Sequence, residues 1–133
     1  MQSRIFSVVA FLLASSTASF ALTLDCVLKP LASNGDFVSK QYVLQFDESS
    51  GQALASDPLI LAVNGTPVAA EVSENSESKL VLTWTLLLTN GIGQTTKMRY
   101  RAAYFKADDQ IILRAMPGGY SNQFEARGRC RQI

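Results

Sequence analysis

The chain has 133 residues, 12 Lys plus Arg against 11 Asp plus Glu, and is 47% hydrophobic and 17% charged. That length makes one domain, and that balance excludes a disordered chain. There is no histidine. This excludes imidazole acid/base chemistry, Ser-His-Asp and Cys-His nucleophile pairs, and the usual zinc sites.

Residues 1–21 read as a secretory signal peptide. Arg4 precedes a short apolar run, IFSVVAFLLA from Ile5 to Ala14, and small residues lead to Ser19-Phe20-Ala21, an A-x-A-like cleavage point. Ala18 is the alternative cleavage point. The run is shorter than the roughly 20 apolar residues needed to span a bilayer, which argues against an uncleaved anchor. A lipid anchor is not expected either, because Asp25 rather than a small residue precedes Cys26. The expected location is therefore the periplasm or beyond. Without Arg4 the remainder carries no formal net charge, but unevenly. Residues 22–96 hold 3 cations and 8 anions, and residues 97–133 hold 8 cations and 3 anions.

In an exported chain two cysteines are expected to pair. A Cys26–Cys130 bond would close a loop of roughly 100 residues, worth about 4–5 kcal/mol in the chain-entropy account. It would also require the first and last strands to lie side by side. Two free or metal-binding thiols are the alternative.

Alternation with period two recurs from residue 22 onward, and nothing there sustains a helical period. The strands expected are 23–29, 41–47, 58–64, 66–72, 79–89, 94–106, 110–116 and 124–131. The clearest is 79–89, where Leu80, Leu82, Trp84, Leu86 and Leu88 share one face and a threonine-rich set shares the other. Asn64-Gly65 has the chemistry of a two-residue hairpin turn. Asp47 to Gly51, the polar run Ser73 to Ser78, Asn90 to Gly93, Ala107 to Asp109 and Pro117 to Tyr120 make the other connections. Short connections favour antiparallel neighbours. The expected fold is an all-β, eight-stranded antiparallel meander, forming a closed or nearly closed barrel with its first and last strands joined by the disulfide. A two-sheet sandwich is the alternative. On the last strand Phe124, Ala126, Gly128 and Cys130 form the inward row, and Gly128 and the alanines are expected to leave interior space.

Four constellations could carry function. If the last three strands pair in order, Lys97, Arg99, Arg101, Arg114, Arg127, Arg129 and Arg131 share one outer face, against Glu125 alone within those rows. Arginine suits phosphate and carboxylate, so this face could dock anionic lipid, a polyanionic polymer or an acidic protein surface. The plainer alternative is a solvated face neutralised by Asp25, Glu71, Glu74 and Glu77. A second set, Tyr42, Phe46, Trp84, Tyr100, Tyr104 and Phe124, with Met98, lies on apolar rows. It either lines a small-ligand cavity or fills the barrel. Third, the acidic pairs Asp108-Asp109 and Asp47-Glu48 suit turns better than a two-carboxylate active site. Fourth, Tyr120 in the loop 117–123 could be a contact point.

Leu113-Arg114 through Gly118, Phe124 and the terminal Gly128-Arg129-Cys130, with the early Cys26 and Trp84 in a middle apolar strand, resemble small exported β-proteins of proteobacteria, especially alphaproteobacteria. The resemblance implies an exported β-domain and carries over no catalytic residue. Periplasmic lysozyme inhibitors share the size and compartment, but their Ser-Gly-rich loop and Lys-Gly turn are not recognisable here. The reading that follows is a monomeric, non-catalytic binding module with no cofactor, no metal and no nucleic-acid partner. A small apolar ligand carrier and an enzyme inhibitor acting through loops are the alternatives.

Overall fold

The computed structural model describes residues 22–31 and 37–133. The segment 1–21, with its expected cleavage point, lies outside the described residues. Eight strands follow one another around a single sheet: β1 (Leu22–Pro30), β2 (Gln41–Asp47), β3 (Gln52–Ser56), β4 (Val68–Asn75), β5 (Lys79–Thr89), β6 (Thr95–Phe105), β7 (Gln110–Pro117) and β8 (Phe124–Gln132). Each pairs antiparallel with the next, and β8 pairs with β1, so the sheet closes into a barrel.

The period-two alternation produces this closure. Leu24, Cys26 and Leu28 of β1 meet Tyr42 and Leu44 of β2, Leu80, Leu82, Trp84 and Leu86 of β5 and Ile111 and Leu113 of β7 in one buried core. Charged and hydroxyl side chains stand outside. That arrangement is the reverse of a lipid-facing barrel, whose apolar band points outward. Among the described residues no helix is long and apolar enough to cross a membrane. The closing seam places Cys26 directly opposite Cys130, and the two form a disulfide across 104 positions of sequence.

Three expectations are corrected. Residues 58–64 are not a strand but a helix, α1 (Pro58–Asn64). Asp57 caps it by accepting from the Ile60 N–H (2.6 Å), and Pro58 opens it, where its missing N–H costs nothing. Ile60 alone of its side chains is fully buried. Asn64-Gly65 makes no hairpin. Gly65 ends the helix at φ 77°, and its N–H donates to the Leu61 carbonyl. A left-handed residue is needed at a helix end as much as in a tight hairpin, so one dipeptide serves both. The third strand is instead β3, whose inward residues are Ala53 and Ala55. Two alanines make a weak apolar alternation.

The run Ser73 to Ser78 is only partly a turn. β4 continues to Asn75 through an irregularity between Val72 and Glu74, because β5 supplies a paired backbone there. Gly128 does not leave interior space. A Cβ built on it would lie 1.9 Å from the Val27 carbonyl oxygen, so the β1 backbone occupies that position.

The connections sort into two ends. Residues 37–40, α1, the turn 90–94 and the loop 118–123 crown one end, called upper here. The turns 48–51, 76–78 and 106–109 lie at the lower end.

Candidate functional site

All seven cations of the last three strands stand on the outer wall, with Lys97, Arg99, Arg127, Arg129 and Arg131 exposed and Arg101 and Arg114 half-buried. Register decides which of them meet. One cross-strand row runs Glu71, Thr83, Arg101, Arg114, Glu125 from β4 to β8. Arg101 and Arg114 are therefore direct neighbours of like charge, an arrangement that costs stability.

Glu125 divides this face. Its carboxylate accepts from Arg114 Nε (3.1 Å) and lies 3.6 Å from Arg127 Nη2. Farther along the seam Asp25 pairs with Arg131 (3.3 Å) and also accepts from the Gln41 amide. Three of the seven cations thus have acidic partners. Lys97, Arg99, Arg101 and Arg129 form no ion pair among the described residues. Of the expected neutralising acids, Asp25 takes Arg131, and Glu74 takes Lys79 outside this face (3.8 Å).

Arg99 and Arg101 line one side of an outer groove of about 590 Å³, together with Met116. Thr83 and Thr85 of β5 form its floor, and Glu71 and Ser73 of β4 its far side. Sequence reading named Glu71 among the acids available to neutralise the arginines, but did not single out Ser73 and the two threonines as their companions. The threonines' alternation along β5 was the available signal, and the β4–β5 and β5–β6 registers supplied the rest. A second, shallower groove of about 310 Å³ lies between Arg127 and Arg129 over Ile112.

The aromatic set divides differently. Tyr42, Trp84 and Tyr100 pack on one another across the barrel middle, with Trp84 and Tyr100 stacked at 5.5 Å and Tyr42 6.1 Å from Trp84. Phe46 and Tyr104 are buried toward the lower end, and Phe124 is half-buried against Phe37 (5.3 Å) near the upper end. The Trp84 indole N–H is buried without a hydrogen-bond partner among the described residues.

The two central phenols reach a polar cluster under α1. Tyr100 donates to the Phe37 carbonyl (2.8 Å), Tyr42 accepts from the Ser39 N–H (3.1 Å), and the Ser39 hydroxyl donates to the buried Asp57. Burial pushes both phenols well above the ordinary tyrosine range, and the Asp57 carboxylate adds to the rise. Tyr104 is also raised, by burial and by its hydrogen bond to Asp109. Asp109 and Asp108 sit in the lower turn as turn-formers, Asp109 at φ 58°. Asp47 holds a similar place, kept below the usual carboxylate range chiefly by its bond from the Ser49 hydroxyl.

Tyr120 is exposed in the upper loop, where a pocket of about 340 Å³ opens. No family model, no curated protein and no solved structure matches this chain.

Proposed function

We propose that this chain is a non-catalytic binding module that holds an anionic polymer against its outer wall. Arg99 and Arg101 anchor the ligand, and Lys97 and Arg129 flank it. The observation that supports this reading is the open pair in the groove. Arg101 faces Arg114 across the strands, Arg99 lies beside it, and neither forms an ion pair among the described residues. A solvated face built only for solubility gains nothing from cations placed directly opposite one another. Guanidinium groups bind phosphate or carboxylate in bidentate fashion, and the Thr83, Thr85 and Ser73 hydroxyls add donors along the same floor. Glu71 on the far side repels an anion, which keeps the ligand along β6 and β7.

Export belongs to the same reading. The disulfide fits an oxidising compartment, and the apolar run near the N-terminus fits a leader. The interior is less suited to a carried ligand, since three aromatic rings meet across its middle.

Titration with inorganic polyphosphate tests the proposal. Affinity should fall steeply as salt rises, because exposed charges are screened over about 10 Å at 0.1 M ionic strength. Arg99→Gln with Arg101→Gln should weaken binding at least about tenfold, with a thermal midpoint no lower than wild type. Unchanged affinity in that double variant would refute the reading.

A further inference from the structure

The upper end of the barrel is apolar in a way the walls are not. Of the nine large hydrophobic side chains exposed among the described residues, six crown this end: Leu31, Phe37, Leu61, Val63, Ile92 and Tyr120. They come from four separate connections. Ile92 at the β5–β6 turn is 80% exposed, and Tyr120 in the β7–β8 loop is 68% exposed. Between them opens the 340 Å³ pocket, floored by Phe37, Leu88, Met98 and Phe124.

Charge is sorted along the same axis. At the upper end the carboxylates among the described residues are Asp57, which is buried as the α1 cap, and Glu125, which is paired with Arg114 and Arg127. Exposed Lys29 and Lys40 flank the apolar crown. The lower end is the opposite. Its turns and strand ends carry Asp47, Glu48, Glu74, Glu77, Asp108 and Asp109 against Lys79, Lys106, Arg129 and Arg131, and Arg131 is paired with Asp25.

We infer that the upper end docks the protein on an anionic lipid bilayer, with the apolar crown entering the interface and the lysines meeting the headgroups. Loop tips that project separately from one end match a deformable plane. Their apolar burial and the surrounding cations are the two contributions that hold peripheral proteins on membranes. The net acidic lower end then faces away from the negative surface, which favours this orientation. The β6–β8 wall stays open to solvent, so this surface is separate from the polymer-binding wall.

Hydrogen exchange on the full chain, with and without vesicles of equal phosphatidylglycerol and phosphatidylcholine, reads which surface is covered. Exchange should slow at 90–94, 118–123 and α1 and stay unchanged at 48–51 and 106–109. Ile92→Asp with Tyr120→Asp should reduce vesicle binding at least about tenfold, while Arg99→Gln with Arg101→Gln should leave the upper-end protection intact. Protection confined to the β6–β8 wall, or no protection on the barrel, would overturn the inference. So would protection of the same loops that rises with protein concentration in the absence of vesicles, which would mark a contact between copies. Loss of polyphosphate binding with intact loop protection would count only against the wall.

Discussion

Gly128 shows how much one residue can decide. It sits at the β1–β8 seam opposite Leu28, two positions before Cys130. A methyl group there would meet backbone atoms of Val27 and Leu28 at 1.9 to 2.8 Å, far inside contact distance. Backbone cannot swing aside as a side chain can, so the seam would have to part. Gly128→Ala should therefore cost about 3 kcal/mol or more in chemical denaturation, at the upper end of the usual cost of overpacking. Gly91→Ala, which meets nothing within 4 Å, should be near neutral. A Gly128→Ala loss as small as that of Gly91→Ala would show that the seam is loose. The period-two pattern correctly places Gly128 on the inward row. It cannot say whether a missing side chain leaves space or admits a neighbouring backbone, because that depends on which strand crosses there.

At the scale of elements, α1 is the departure that matters. The run Leu59 to Val63 has strand-like composition, yet Asp57, Pro58 and Gly65 impose a helix start and stop around it. Closing a barrel end also favours a short helix, which satisfies its own backbone groups where no strand is available to pair. Asp57 joins this plug to the core through Ile60 N–H and Ser39 Oγ. Asp57→Ala should cost about 1–2 kcal/mol, the usual loss of a helix cap. Asp57→Asn should cost less, since asparagine still caps. Both remove the charge that helps keep Tyr42 and Tyr100 protonated. The folded phenols sit above the ordinary value of 10.0, so their contribution to stability is complete below that pH. It is lost as pH rises above it, when the unfolded chain ionises first. In either variant, ultraviolet titration should show phenolate formation and unfolding at lower pH than in wild type. Titration identical to wild type would mean that the Asp57 charge does not reach the phenols.

For the molecule as a whole, closure rests on one covalent link between its two ends. The Cys26–Cys130 bond spans 104 positions, and the β1–β8 seam also carries a ladder of seven residue pairs. Reduction should lower stability by about 4–5 kcal/mol on the chain-entropy account. The ladder and core remain, so the reduced barrel should be folded but far easier to open, with exchange rising first in β1 and β8. Uniform loosening of all eight strands would show that the disulfide acts on the entire core. Closure also rearranges charge. The acidic N-terminal stretch and the basic C-terminal stretch do not form opposite ends. Because strands run alternately up and down, acids in the even-numbered turns gather at the lower end, while arginines spread along the β6–β8 wall.

The alternation of side chains by itself determined the all-β class, the inward rows, the paired cysteines and the outward course of the seven cations. Each follows from a repeat of two along a single strand, or from composition alone. Tertiary structure decided what depends on register and on chain ends meeting: the helix in place of a strand at 58–64, the small-residue strand β3, the backbone against Gly128 and the pairing of Glu125 with Arg114 and Arg127. It also decided that Arg99 and Arg101 share a groove with Glu71, and that apolar tips from four connections meet at one end. The helix has local start and stop signals at Asp57, Pro58 and Gly65, but a strand-like run lies between them and the barrel end decided the outcome. The other features need strands to meet: Arg114 faces Glu125 from the neighbouring strand, and Val27 meets Gly128 from the far end of the chain. Such residues become neighbours only when a particular register closes the barrel, and register is set by the sum of all cross-strand contacts rather than by any one strand.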